Sequence, residues 1–150
     1  MMLAPHAAIQ PRPLGCVNTA MRDLDRSYDG VCWLVEEGKL VAFNIAAPGK
    51  ARKSLRILTA SIEHYRETRQ AFERPWPEIF RLIVRHELLF LRSPEIDRAL
   101  NCDPKQASAL ISAGCFTVAR NGRAGNGCAA IITRASFEKF LWDRLEGGEL

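Results

Sequence analysis

An α+β fold made of two similar units is the expectation, and three observations carry it. The stretch "VCWLVEEGKLVAF" (31–43) reads as the end of an amphipathic helix, a glycine stop and a strand start, and "ASALISAGCFTV" (107–118) reads the same way. With Gly38 laid over Gly114, Leu34 falls on Leu110, Val35 on Ile111, Val31 on Ala107, Leu24 on Leu100 and Ser27 on Asp103. One residue of slippage then sets "ILTASIEHY" (57–65) over "ITRASFEKF" (132–140), apolar on apolar. At 150 residues, 47% hydrophobic and 25% charged, the chain has the composition of a soluble globular protein and the length of one ordinary domain or two very small ones.

The elements follow in order. The Pro/Ala-rich start predicts a flexible arm over 1–14, with the first unit over 15–72. There Asn18 is a candidate N-cap for a short helix, "TAMRDLD". Arg26-Ser27 makes a turn, Ser27 caps the next helix to Glu37, and Gly38 supplies the left-handed stop. "LVAFNI" and "LRIL" predict two strands around the Pro/Gly loop "AAPGKARKS", and "TASIEHYRETRQAF" closes the unit as a helix. Pro75 and Pro77 break that helix and open a linker over 73–91. Apolar residues at helical spacing from Glu78 predict a linker helix that packs the units together or forms a dimer face. "LLFL" (88–91) fits either the end of that helix or a short strand.

The second unit, 92–150, starts on Ser93-Pro94-Glu95, with a proline in the first turn and an acid near the positive helix end. Asn101-Cys102 makes the turn, Asp103-Pro104 opens the next helix, and Gly114 ends it. "CFTVAR" and "AAIIT" predict a hairpin around "NGRAGNG", and "RASFEKFLWDRL" closes the unit.

Helix, tight turn, helix, glycine, hairpin, helix is the order of a winged helix-turn-helix, so the fold class expected is α+β: two tandem winged helix-turn-helix units joined by an apolar helical linker. The frame of "SYDGVCWLVEEGKLVA" (Ser27, Val31, Leu34, Val35, Gly38, Leu40, Ala42) resembles the excisionase family of small DNA-binding domains, related to the MerR-type group. The resemblance covers most of 17–65 and, more loosely, 92–141. It implies a transcription regulator or an excisionase-like architectural factor, with double-stranded DNA as partner; cysteines read as reduced thiols add the expectation of a cytoplasmic, nucleoid-associated location.

Side chains sort the two units. That family carries basic or hydroxyl residues on the outward face of the second helix. The first unit instead has Tyr28, Asp29, Trp33, Glu36 and Glu37, and acids repel phosphates. Trp33, with Tyr28, is a candidate protein contact or a partly buried core residue. The second unit offers Lys105, Gln106, Ser108 and Ser112, which suit phosphate and base contacts and equally an ordinary solvated face. Both hairpin loops are basic: Lys50, Arg52, Lys53 and Arg56 in the first, Arg120, Asn121 and Arg123 in the second. Glycine-rich loops with arginines track a backbone or enter a narrow minor groove. The net charge of +4 leans the same way without deciding it.

Other classes find little support. Five cysteines, an odd number with no C-x-x-C, argue against a zinc site or a disulfide framework. No apolar run reaches the roughly 18 residues of a membrane span, and the start lacks the pattern of a signal peptide. Phosphate-loop, nucleophile-elbow and zincin motifs are missing, so neither enzyme activity nor a cofactor is expected. The alternative function is a protein-interaction module on the same scaffold, with a protein partner or homodimer joined through Trp33 or the 78–91 segment.

Overall fold

The computed structural model describes residues 12–121 and 129–147. In chain order the elements are β1 (Leu14–Gly15), α1 (Val17–Leu24), α2 (Tyr28–Glu36), β2 (Ala42–Asn44), β3 (Leu55–Leu58) and α3 (Thr59–Thr68). They continue with α4 (Trp76–Ile83), β4 (Phe90–Arg92), α5 (Ser93–Leu100), α6 (Pro104–Ser112), β5 (Val118–Arg120), β6 (Ile131–Thr133), α7 (Arg134–Asp143) and β7 (Leu145–Glu146). The fold is α+β. The order strand, helix, helix, strand, strand, helix runs from β1 to α3 and again from β4 to α7, with α4 between.

Local chemistry explains the boundaries. The Ser27 hydroxyl accepts the Gly30 N–H at 3.1 Å and starts α2. The Asp103 carboxylate accepts the Gln106 N–H at 2.8 Å and starts α6, with Pro104 at its first position. The turns between the paired helices close on left-handed residues of matching conformation, Asp25 (φ 51°, ψ 53°) and Asn101 (φ 51°, ψ 53°). Short polar side chains tolerate that region best after glycine. Beyond α2 and α6 the chain turns at Gly38 (φ 75°) and Gly114 (φ 80°), where a side chain would be strained.

Each sheet is antiparallel. The first has the order β1-β3-β2-β7 and the second β4-β6-β5. β2 and β3 pair Ala42 with Ile57 and Asn44 with Leu55; β4 and β6 pair Phe90 with Thr133 and Arg92 with Ile131. The chain's last strand therefore returns to the first sheet, pairing Phe43 with Leu145.

Two apolar clusters hold the elements. One lies within the first half, where Leu24, Val31, Leu34, Leu40, Ile57 and Ile62 pack under α1, α2 and α3. The larger one spans both halves and the linker. It joins Phe43 and Ile45 of the first sheet region to Ile79, Phe80 and Ile83 of α4 and to Ile96, Leu110, Ile132 and Phe137 of the second half. α4 thus packs the halves together through its buried face. Trp76 reinforces this: its ring lies 6.1 Å from Phe43 and 5.2 Å from Trp142, and its Nε1–H donates to Glu138 Oε2 at 3.1 Å.

Some expectations shift. α1 begins at Val17 with Cys16 in the capping position and no side-chain cap, rather than after Asn18. Pairing of Leu14–Gly15 with Ile57–Leu58 fixes the incoming chain, so the helix begins early. Leu14, read as the last residue of a flexible arm, is a fully buried strand residue; the rest of that stretch, 1–11, lies outside the described residues. α5 begins at Ser93 with Arg92 as its cap, and Glu95 Oε1 accepts the Arg92 N–H at 3.2 Å. Of "LLFL", Phe90 and Leu91 belong to strand β4, and α4 stops at Ile83.

Candidate nucleic-acid interface

The outward face of α6 is open. Lys105, Ser108 and Ser112 are exposed and lie three and four residues apart, so they share one side of the helix. Gln106, read from the sequence as a fourth member, is half-buried instead. Its Nε2 donates to the Ser54 hydroxyl at 3.1 Å, at the foot of the β2–β3 loop. That bond brings α6 beside the first loop, whose Lys50, Arg52 and Lys53 are exposed.

These cations are not equally free. Lys53 Nζ meets Glu146 Oε1 at 2.8 Å, and that carboxylate holds the ammonium above its ordinary pKa. Arg52 lies close enough to Tyr28 to oppose the rise in its hydroxyl pKa, which comes first from the Cys32 thiol. Arg56, the fourth basic residue of the set, turns inward. Its Nε donates to the carbonyls of Leu100 (3.1 Å) and Asn101 (3.0 Å), and its Nη1 to Ser54 Oγ (3.3 Å) and Leu55 O (3.0 Å). It closes the C-terminal end of α5, where helix carbonyls lack partners. Arg56 and Gln106 therefore bind the first loop to the second helix pair.

A reciprocal clamp escaped the sequence reading. Arg144, just beyond α7, donates through Nη1 to Asn44 O (3.1 Å) and Ala46 O (2.5 Å), while its own carbonyl accepts the Asn44 N–H at 2.9 Å. The Asn44 side chain pins the loop from within, its Oδ1 accepting the N–H groups of Ala46 (3.1 Å) and Ser54 (3.0 Å). Nothing in the spacing of Arg144 marks it, because its partners are backbone carbonyls about a hundred residues away.

On the second hairpin, Arg120 and Asn121 are exposed, and Arg120 Nη2 reaches Ala129 O at 3.3 Å. Arg123 lies in 122–128, outside the described residues. On α2, Tyr28 (55% exposed) and Trp33 (51% exposed) stand clear of the core, flanked by exposed Asp29, Glu36 and Glu37. Trp33 is thus a surface residue.

A cleft of about 430 Å³ gathers Arg12, Arg85 and Arg98 over Ile83, Leu91 and Ala99. At its wall His86 Nε2 meets Glu95 Oε2 at 2.6 Å. The three arginines come from three segments, so sequence proximity gave no sign of them. Among the described residues no group of three or more His, Cys, Asp or Glu is set to hold a metal ion, and no helix is long and apolar enough to cross a membrane. No family model, curated protein or solved structure matches the chain.

Proposed function

We propose that each six-element run is a winged helix-turn-helix unit and that the chain binds duplex DNA, as a transcription regulator or an excisionase-like architectural factor. The observation that carries this is the joining of two basic elements. Lys105, Ser108 and Ser112 of α6 stand beside the loop bearing Lys50 and Arg52, and the 3.1 Å Gln106–Ser54 bond holds the two in register. On this reading α6 enters a major groove. Ser108 and Ser112 allow close backbone approach, and Lys105 reaches guanine or phosphate. Lys50 and Arg52 grip the neighbouring phosphates, and Arg120 follows the backbone from the second hairpin. Arg56 and Gln106 act by positioning, and Lys53 shares its charge with Glu146. No catalytic step or cofactor enters the reading, and the place of action would be the cytoplasmic nucleoid.

Fluorescence anisotropy with random-sequence duplex DNA at two salt concentrations tests it. Salt-sensitive binding is expected, and Lys105→Ala and Arg52→Ala should each lower the slope of log affinity against log salt by about 1. Absence of binding at low salt, or slopes unchanged in both variants, would sink the reading.

A protein-interaction module is the second reading, favoured by the exposed Tyr28 and Trp33 amid Asp29, Glu36 and Glu37. Its sign is affinity for a basic protein partner that survives high salt and is lost in Trp33→Ala, with negligible DNA binding.

A further inference from the structure

The edge of the second sheet leaves an unfilled position. β4 is the outer strand of β4-β6-β5 and, among the described residues, pairs with β6 alone. The Arg134 N–H donates to Leu89 O at 2.8 Å and the Ser93 N–H to Ala130 O at 3.1 Å. Residues 89, 91 and 93 therefore direct their backbone groups at β6. The alternation of an antiparallel ladder then turns those of 88, 90 and 92 outward. Two of these outward N–H groups are already satisfied: Leu88 donates to His86 Nδ1 at 3.2 Å and Arg92 to Glu95 Oε1 at 3.2 Å. Among the described residues nothing pairs with the Phe90 N–H and C=O, which lie on the edge. Next to it in the chain stand Leu88 (64% exposed) and Leu89 (73%), and Phe90 itself is 49% exposed. An edge strand carrying so much exposed apolar surface is a template for another strand.

We propose that this edge is the dimerisation surface of the chain, with β4 pairing antiparallel to β4 of a second copy about a two-fold axis at Phe90. The segment "ELLFLR" (87–92) fits itself in that arrangement. Two Phe90 residues facing across the axis exchange both backbone hydrogen bonds, and no bond made by Leu88 or Arg92 needs to break. Each Leu88 then lies opposite the aliphatic stem of the other copy's Arg92. The acidic end of one segment, Glu87, meets the basic end of the other, Arg92, whereas a parallel pairing would set like charges together. Self-complementarity of this kind is what an isologous interface requires. The proposal stands apart from DNA binding, because it uses none of the residues assigned to DNA.

Sedimentation equilibrium of the full chain over a wide concentration range tests it. The wild type should pass from monomer to dimer as concentration rises. Phe90→Lys sets two ammonium groups across the axis and should weaken association at least tenfold, with an unchanged circular-dichroism spectrum. Leu88→Lys, which lies before β4 in the monomer but opposite Arg92 in the dimer, should weaken it as well and decides the matter if the first variant misfolds. Opposed residues of a hydrogen-bonded antiparallel pair lie about 5.5 Å apart between Cα atoms, within disulfide range. Oxidised Phe90→Cys should therefore yield a crosslinked dimer whose linked peptides both contain position 90. A wild type monomeric at the highest concentration, or association undiminished by both lysine variants, or association abolished by Trp33→Ala instead, would overturn the proposal.

Discussion

Removing the Arg56 guanidinium should loosen the whole chain. Four donations at 3.0 to 3.3 Å end on Leu100 O, Asn101 O, Ser54 Oγ and Leu55 O, and two of those acceptors lie in the other half. Hydrogen bonds from a charged donor contribute about 1.5–3 kcal/mol each when well formed and buried, but this group is half-buried. Water can replace it at the outer acceptors, and the two carbonyls at the end of α5 share the single Nε–H, so together they should count as about one charged hydrogen bond. Arg56→Ala is expected to cost about 2–3 kcal/mol. At roughly 2–4 °C per kcal/mol for a chain of this size, the melting temperature should fall by about 4–12 °C. Arg56→Lys keeps the charge but loses the two-sided fork and should recover at most half. Urea denaturation followed by circular dichroism measures this, and the transition should stay single because one apolar cluster spans both halves. A loss under about 0.5 kcal/mol in Arg56→Ala, or full recovery in Arg56→Lys, would refute the clamp and return Arg56 to the surface charges.

Arg144→Ala should act like Arg56→Ala, and the double variant should cost less than the sum of the two, since both contacts tie the same loop; a double-mutant cycle checks it. Gly147→Ala would place a Cβ 2.1 Å from Val35 O at a φ of +81°, so β7 should peel from β2, with faster amide hydrogen exchange at Asn44. Burial raises the Cys102 thiol to about 11, while hydrogen bonding with Thr19 lowers the Cys16 thiol, so iodoacetamide at mildly alkaline pH should label Cys16 well before Cys102, as peptide mass spectrometry reads. Among the described residues the buried Asp97 Oδ1 meets no partner, and its pKa is raised first by desolvation and then by Asp103. A raised acid favours the fold while protonated and penalises it once ionised, so its contribution declines as pH climbs from the unfolded value through the folded one. Asp97→Asn should therefore raise the melting temperature at neutral pH and leave it nearly unchanged in acid.

Elements whose signals are local were legible in the sequence. Ser27 and Asp103 cap the helices assigned to them, Gly38 and Gly114 carry the positive φ expected, and "LRIL" is β3 residue for residue. β1 and β7 were not legible, because two residues carry no periodicity and each exists only through its partner strand. Of the expected site, Lys105, Ser108, Ser112, Lys50, Arg52, Arg120 and Asn121 are exposed. Arg56 and Gln106 looked like surface residues because helix and strand periodicity describe an isolated unit. Packing of one half on the other buries what each alone would expose.

That packing gives the differing charges of the two helix pairs a physical sense. α2 and α6 share length and flanking turns, yet the outward residues of α2 are acidic and aromatic while those of α6 are small, hydroxylic and basic. A phosphate backbone lying along both helices equally would be repelled by Asp29, Glu36 and Glu37. The first loop resolves the conflict by leaning toward α6 rather than serving α2 alone. Gln106 and Arg56 tie its foot to the second helix pair, and Glu146, brought in by β7, occupies Lys53 on the α2 side. If the basic surface follows α6 and the first loop, α2 is free to carry a different contact. Swapping the outward residues of α2 for those of α6 should then do little for DNA affinity unless the C-terminal strand is also released.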